Sequence, residues 1–223
     1  MTAPNPVPSP APVEPVRLLR PVEEVAPGPL AGDPAILGLP SFIVGAVALG
    51  MVFIGVVPAT ATGASLSIII GATSIGLFVA AVWSAVTGQN AAAGIYGIFS
   101  GLYLSYAVLG LGLMHNWFGI APTAVADTEK LFVISWIVIV TMLVLATLRL
   151  PFAFTGLFAL IDVALLLYLL SIIQTSTSLE KAAGWIVMAF TAIGVYMFFG
   201  CASHATGGKP VPLGPAVLRE AAE

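Results

Sequence analysis

The chain has 223 residues, of which 59% are hydrophobic and only 8% charged, and its mean hydropathy is +1.08. Soluble domains carry roughly 25% charged residues, so this chain cannot cover a water-facing surface and reads as an integral membrane protein. Seven dispersed Lys and Arg and a formal net charge of -3 form no basic patch and exclude a nucleic-acid binder, and the lone Cys201 excludes an intrachain disulfide or a cysteine-rich metal site.

Residues 1–32 form a Pro-rich arm, with Pro at 4, 6, 8, 10, 12 and 15. Such a segment buries too little apolar surface to offset its ordering entropy, so it is expected to be disordered with short polyproline stretches. It lacks the apolar core of a secretory signal. A plain extended tail is the simpler reading, and docking of a partner is the alternative.

At Asp33-Pro34 the chain turns apolar. Pro34 has no amide to donate, which costs nothing at the first position of a helix, and Asp33 can cap the free amides of the first turn. The run from Ile36 to Val57 is roughly 20 residues, enough to cross a bilayer core of about 30 Å. Further runs span Ala64 to Thr87, Ala91 to Met114, Leu131 to Leu148, Phe152 to Ile173 and Ala182 to Phe199. Gly88-Gln89-Asn90, a wet loop with Pro122, Asp127, Glu129 and Lys130, the Arg149–Pro151 corner and polar Gln174–Lys181 separate them. Long apolar runs without period-two alternation are helices, not barrel strands. The expected fold is an all-α bundle of six transmembrane helices over residues 33–207, followed by a polar, Pro-containing tail at 208–223.

An even number of spans puts both ends on one side. Arg17, Arg20, Arg149, Lys209 and Arg219 fall there, against Lys130 and Lys181 opposite, so cytoplasmic termini are expected. Small residues four apart (Ala46 and Gly50, Ala72 and Gly76, Gly97 and Gly101) flatten helix faces and allow close packing within or between subunits. Catalysis has no foothold. His115 and His204 lie at the ends of different spans without metal-ligand spacing, and no nucleophile elbow or phosphate loop is present. No cofactor and no metal are expected.

The stretch Asp33-Pro34-Ala35-Ile36-Leu37-Gly38-Leu39 resembles the Asn-Pro-Ala-Pro-Leu-Gly-Leu motif of the acetate uptake transporters, the succinate–acetate permease type, with Phe42 following at that family's spacing. Tyr96, Phe99 and Tyr103 fall on the family's aromatic positions in the third span, although it has Tyr where Phe99 stands. Trp136, Ala183-Gly184-Trp185 with Gly194, Tyr196 and Gly200, and the tail Val211-Pro212-Leu213-Gly214 continue the resemblance in order. It implies a six-helix protomer with its own path for small carboxylates, assembled as a homo-hexamer in the plasma membrane. It also implies a hydrophobic constriction at Phe42, Phe99 and Ile161, with Asp33, Pro34, Gly38 and Leu39 as the opening motif. An apolar ring suits a gate, since a dry constriction holds off hydrated ions.

Two departures stand out. Leu77 and Ser84 occupy positions where familiar members carry Gln and Glu, and Asp162 sits near mid-span where the family is uncharged. An intramembrane carboxylate costs several kcal/mol by insertion scales and is a functional candidate by default. Asp162 is expected to face the bundle interior near Ile161 and to take part in proton-linked transport, a hydrogen bond across a helix seam being the structural alternative. An ionised Asp162 on the path would repel acetate, which keeps two other readings open: a channel for ammonium or an amide, and a non-transporting membrane scaffold.

Overall fold

The helices begin and end where the sequence offers caps and breakers, and lipid-length apolar stretches lie between them. The computed structural model describes residues 31–218, so the Pro-rich arm lies, but for its last two residues, outside the described residues. Among these, six helices are long and apolar enough to cross a membrane: α1 (Ala35–Phe53), α2 (Thr62–Val86), α3 (Asn90–Met114), α4 (Pro122–Arg149), α5 (Phe152–Gln174) and α6 (Thr177–Ala205). At the head of α1, the Ala35 amide donates to Asp33 Oδ1 at 2.9 Å, and buried Pro34 opens the first turn.

Two helices start earlier than the apolar pattern predicts. The expected wet loop before Leu131 is helical from Val125, with Asp127 in the first turn and paired to Lys130 at 2.7 Å. An acid near the positive end of the helix and an i,i+3 ion pair extend α4 into water. Likewise Ser176 caps α6 by accepting from the Leu179 amide at 3.4 Å, which draws the polar residues before Ala182 into the helix. In both places the polar residues mark the wet end of a helix, not a loop as their composition suggests.

Helix α1 runs along α6, and Gly184 sets how close they come. A Cβ there would meet Phe53 Cβ at 2.7 Å and the Ile54 backbone nitrogen at 2.9 Å. Helix α2 contains a π-helical stretch, Ile69–Ser74, in which Ser74 Oγ donates to the Ile69 carbonyl at 2.8 Å and Ser100 of α3 donates to the Ser74 carbonyl at 2.9 Å. The wide turn thus takes its extra hydrogen bonds from hydroxyls on α2 and α3.

The core lies along the bundle axis and includes Phe42, Ala46, Leu77, Phe99, Tyr103, Phe158, Ile161 and Phe190. The outer faces are equally apolar: Phe78, Val82, Leu131, Val138, Leu145 and Phe199 are exposed, as lipid or a neighbouring subunit requires. The small-residue pairs divide between these environments. Ala46 and Gly50 are buried inside the bundle, whereas Gly97 and Gly101 lie on the exposed face of α3.

After α6 the chain folds back. The Phe152 and Ala153 amides, which open α5, donate to the carbonyls of Pro215 (3.2 Å) and Leu213 (3.0 Å). Tyr196 donates from its hydroxyl to the Pro212 carbonyl at 2.8 Å, and Val211 lies on Gly200. The tail motif therefore serves as the cap of α5.

Candidate functional site

Three cavities follow one another along the bundle. The first, about 410 Å³, opens at the end where α1 begins and α6 ends and is lined by Asp33, Leu39, Leu77, Gln89, Asn90 and Tyr96 among others. The second, about 60 Å³, is lined almost wholly by apolar and aromatic side chains. The third, about 600 Å³, lies at the opposite end and holds Thr177, Glu129, Glu180 and Lys181. Phe42 and Phe99 line both the first and second cavities. Phe53, Tyr106, Phe132, Val133 and Tyr168 line both the second and third. Each set of shared residues is a closure between two spaces.

The first closure is built on Phe42. Its ring meets Phe99 edge-on at 5.4 Å, Phe190 at 5.8 Å and Tyr103 edge-on at 6.0 Å, and Phe99 stacks on Phe158 at 5.6 Å. Four helices thus bring aromatic rings to one level. Ile161, only 5% exposed, lies in the wall of the second cavity beside them. The structure therefore places Phe42, Phe99 and Ile161 around one space inside a single protomer.

Asp162 does not follow its neighbour. One residue along a helix is a turn of about 100°, and this carries its carboxylate into the α4–α5 seam. There it accepts from Thr141 Oγ1 at 3.0 and 3.2 Å. It lies in the wall of none of the three cavities, whereas the sequence led to the expectation that it faces the bundle interior near Ile161. The carboxylate finds its partner sideways, in the Thr141 hydroxyl of α4.

The opening motif frames the first cavity. Asp33 and Leu39 are in its wall, and Asp33 Oδ2 accepts from the Cys201 thiol at 3.5 Å. Gly38 acts through its lack of a side chain. A Cβ there would run into the Tyr96 ring, so only glycine lets that ring lie against α1. The first residues of α3, Asn90 to Ala92, line the same space and turn the positive end of a helix towards it. Of the two departures in α2, Leu77 is fully buried in this cavity wall, and Ser84 donates to the Ala80 carbonyl at 2.7 Å within its own helix.

The second closure was not found from the sequence. Phe53 stacks on Tyr168 at 4.9 Å, and Tyr106 tilts against Phe132 at 6.3 Å. Spacing carried the signal. Phe99, Tyr103 and Tyr106 stand at i, i+4 and i+7 on one face of α3, and Phe158, Ile161, Leu165 and Tyr168 follow the same face of α5. Following each constriction residue along its helix face leads to the far closure.

The sequence pattern of the GPR1/FUN34/yaaH family matches residues 19–209. Among curated proteins, none matches. Among solved structures, the chain is similar to one described as the bacterial acetate channel SatP, with a TM-score of 0.72 at 20% sequence identity, covering 82% of this chain and 99% of that one. The likeness extends to the whole six-helix fold, and the family pattern covers most of the chain from the end of the Pro-rich arm to the start of the tail. The chain belongs to the GPR1/FUN34/yaaH family, the acetate uptake transporters whose motifs it resembles.

Proposed function

We propose that this protein carries acetate and other small monocarboxylates across the membrane through the three cavities of each protomer. The observation that supports this most directly is the row of cavities on the axis of a family member. Asp33, Pro34, Gly38 and Leu39 form the mouth, and Phe42, Phe99 and Ile161 form the narrow point. An ion stripped of water in such a ring costs several kcal/mol, whereas a small carboxylic acid, or an anion moving with a proton, passes as a neutral unit. Transport is therefore proton-linked, and a dicarboxylate such as succinate marks the upper limit of size. The protein works as a homo-hexamer in the plasma membrane with cytoplasmic termini, and the exposed Gly97–Gly101 face of α3 suits subunit contact.

The experiment is uptake of labelled acetate into proteoliposomes under an inward proton gradient, with succinate and methylammonium in parallel. Saturable acetate uptake that collapses with the gradient is the expected result. Uptake of methylammonium without acetate would favour the second reading, a channel for ammonium or an amide, for which the surplus of Glu129 and Glu180 over Lys181 in the third cavity speaks. No uptake of any of the three would leave a scaffold, for which cavities on the axis have no use. Light scattering in mild detergent tests the hexamer, and a monomer would overturn it.

A further inference from the structure

Helix α2 reaches both outer cavities but not the one between them. Leu77 lies in the wall of the first, Thr62 and Leu66 lie in the wall of the third, and the wide turn Ile69–Ser74 stands between. Such π-helical turns recur at functional sites.

The turn touches both helices whose rings form the first closure. On α1 it packs where side chains are missing. A Cβ on Gly45 would meet Thr73 Oγ1 at 2.5 Å, and one on Gly76 would run into Ser41. Ser41 and Gly45 lie within one helical turn of Phe42. On α3, the hydroxyl that reaches the Ser74 carbonyl at 2.9 Å belongs to Ser100, the neighbour of Phe99.

Two adjacent hydroxyls in the turn compete for one acceptor. Elsewhere in the bundle a helical hydroxyl donates three or four residues back, as Ser171 does to Tyr168, Ser41 to Leu37, Ser84 to Ala80 and Thr191 to Val187. The Ile69 carbonyl stands four before Thr73, yet it accepts from Ser74, five residues on, at 2.8 Å. Thr73 is left fully buried, and its Oγ1 has no partner among the described residues. A bare buried hydroxyl is costly, and valine would fill the same space without that cost. Tightening the turn to an α-helix would return the Ile69 carbonyl to Thr73 and release Ser74.

We infer that the Ile69–Ser74 turn is the joint that works the first closure, and that Thr73 is the positioning residue that lets it change form. This rests on the transport reading and deepens it by naming the helix that moves the gate. As the turn tightens, the two arms of α2 rotate against each other by up to one residue's share of a turn, about 100°. The surfaces that carry Ser41, Gly45 and Ser100 shift with it, and Phe42 and Phe99 part. One hydroxyl bond is exchanged for another, so the two forms stay close in free energy, as a switching element requires.

Two measurements on the full chain in proteoliposomes test the joint. Thr73→Val keeps the shape and removes the hydroxyl, so the tight form loses its bond and the wide form loses its bare group. Acetate uptake should slow about tenfold, the equilibrium worth of one buried hydrogen bond, while the unfolding midpoint holds or rises. Thr73→Ser keeps the donor and should retain most of the uptake. The second measurement needs no solute. Spin labels at Ser67→Cys and Val79→Cys, exposed on either arm of α2, are placed in a Cys201→Ser chain. They should report two distances, of which only one survives Thr73→Val. Two distances in a protein that carries no acetate would uphold the joint and overturn the transport reading alone. A single distance with Thr73 in place overturns the joint. So does Thr73→Val with unchanged uptake, or Thr73→Ser as slow as Thr73→Val.

Discussion

Polar side chains in the helix seams differ from those on the axis. In the seams, Ser100 donates to the Ser74 carbonyl at 2.9 Å, Thr155 to the Thr147 carbonyl at 2.7 Å, and Thr141 to Asp162 at 3.0 Å. On the axis, the hydroxyls of Tyr103, Tyr106 and Tyr168 have no protein partner among the described residues. Lipid supplies no hydrogen bonds, so a group that holds the fold must be satisfied from within it. Thr73, in the π-helical stretch, is the buried hydroxyl oxygen that breaks this pattern in a seam. Hydroxyls bonded in seams hold helices together, and those on the axis make no such bond between helices.

The largest effect is expected at the centre of the first closure. Phe42→Ala removes the ring that touches Phe99, Tyr103 and Phe190. It should cost on the order of 3–5 kcal/mol of stability while raising uptake of larger carboxylates relative to acetate. Unchanged selectivity in the folded variant would move the narrow point elsewhere. Gly38→Ala comes next, because its Cβ displaces the Tyr96 ring. A loss of about 1–3 kcal/mol, read as a lower unfolding midpoint, should accompany slower uptake, and a neutral result would show that Tyr96 moves freely.

A seam-type perturbation gives a smaller effect. Truncation after Pro210 removes the carbonyls that cap Phe152 and Ala153. These amides lie at a wet helix end, so the cost should be about 1–2 kcal/mol, with no change in the ratio of formate to propionate uptake. A selectivity change on truncation would blur the line between seam and axis by showing that the tail shapes the path.

Much of the fold was legible because a membrane span needs a fixed length of apolar residues, and Pro34, Gly88 and Pro151 punctuate those lengths clearly. Direction around each helix was not. In a soluble helix one face is polar, but here Phe199 on the exposed outer face and Phe190 in the core are the same residue type on the same helix. Periodicity of hydrophobicity therefore cannot say which aromatic faces inward. Phe42, Phe99 and Ile161 came from the family resemblance, while Phe53, Tyr106 and Tyr168 had no such guide. The wet ends of α4 and α6 were misread for a related reason: Asp127, Lys130 and Glu180 look like loop residues by composition but act as helix-end charges.

Asp162 gives the smallest expected effect and the sharpest test of the comparison. Its neighbour Ile161 lines the second cavity, and Asp162 itself is bound sideways to Thr141. Asn keeps an oxygen that can accept from Thr141 and fixes the charge at zero. If Asp162 belongs to the seam, Asp162→Asn should change stability by less than about 1 kcal/mol, and uptake per unit of substrate anion should keep its pH dependence. The pair should also couple when both sides of the bond are removed: Thr141→Val and Asp162→Leu should be non-additive by roughly 0.5–1.5 kcal/mol in a double-mutant cycle. Loss of most of the pH dependence in Asp162→Asn, with Thr141→Val unaffected, would return the carboxylate to the path and require the α4–α5 seam to open during transport. Measuring both variants matters, because a seam hydrogen bond predicts parallel, small effects on stability, whereas a titrating gate predicts a large effect on transport from one partner alone.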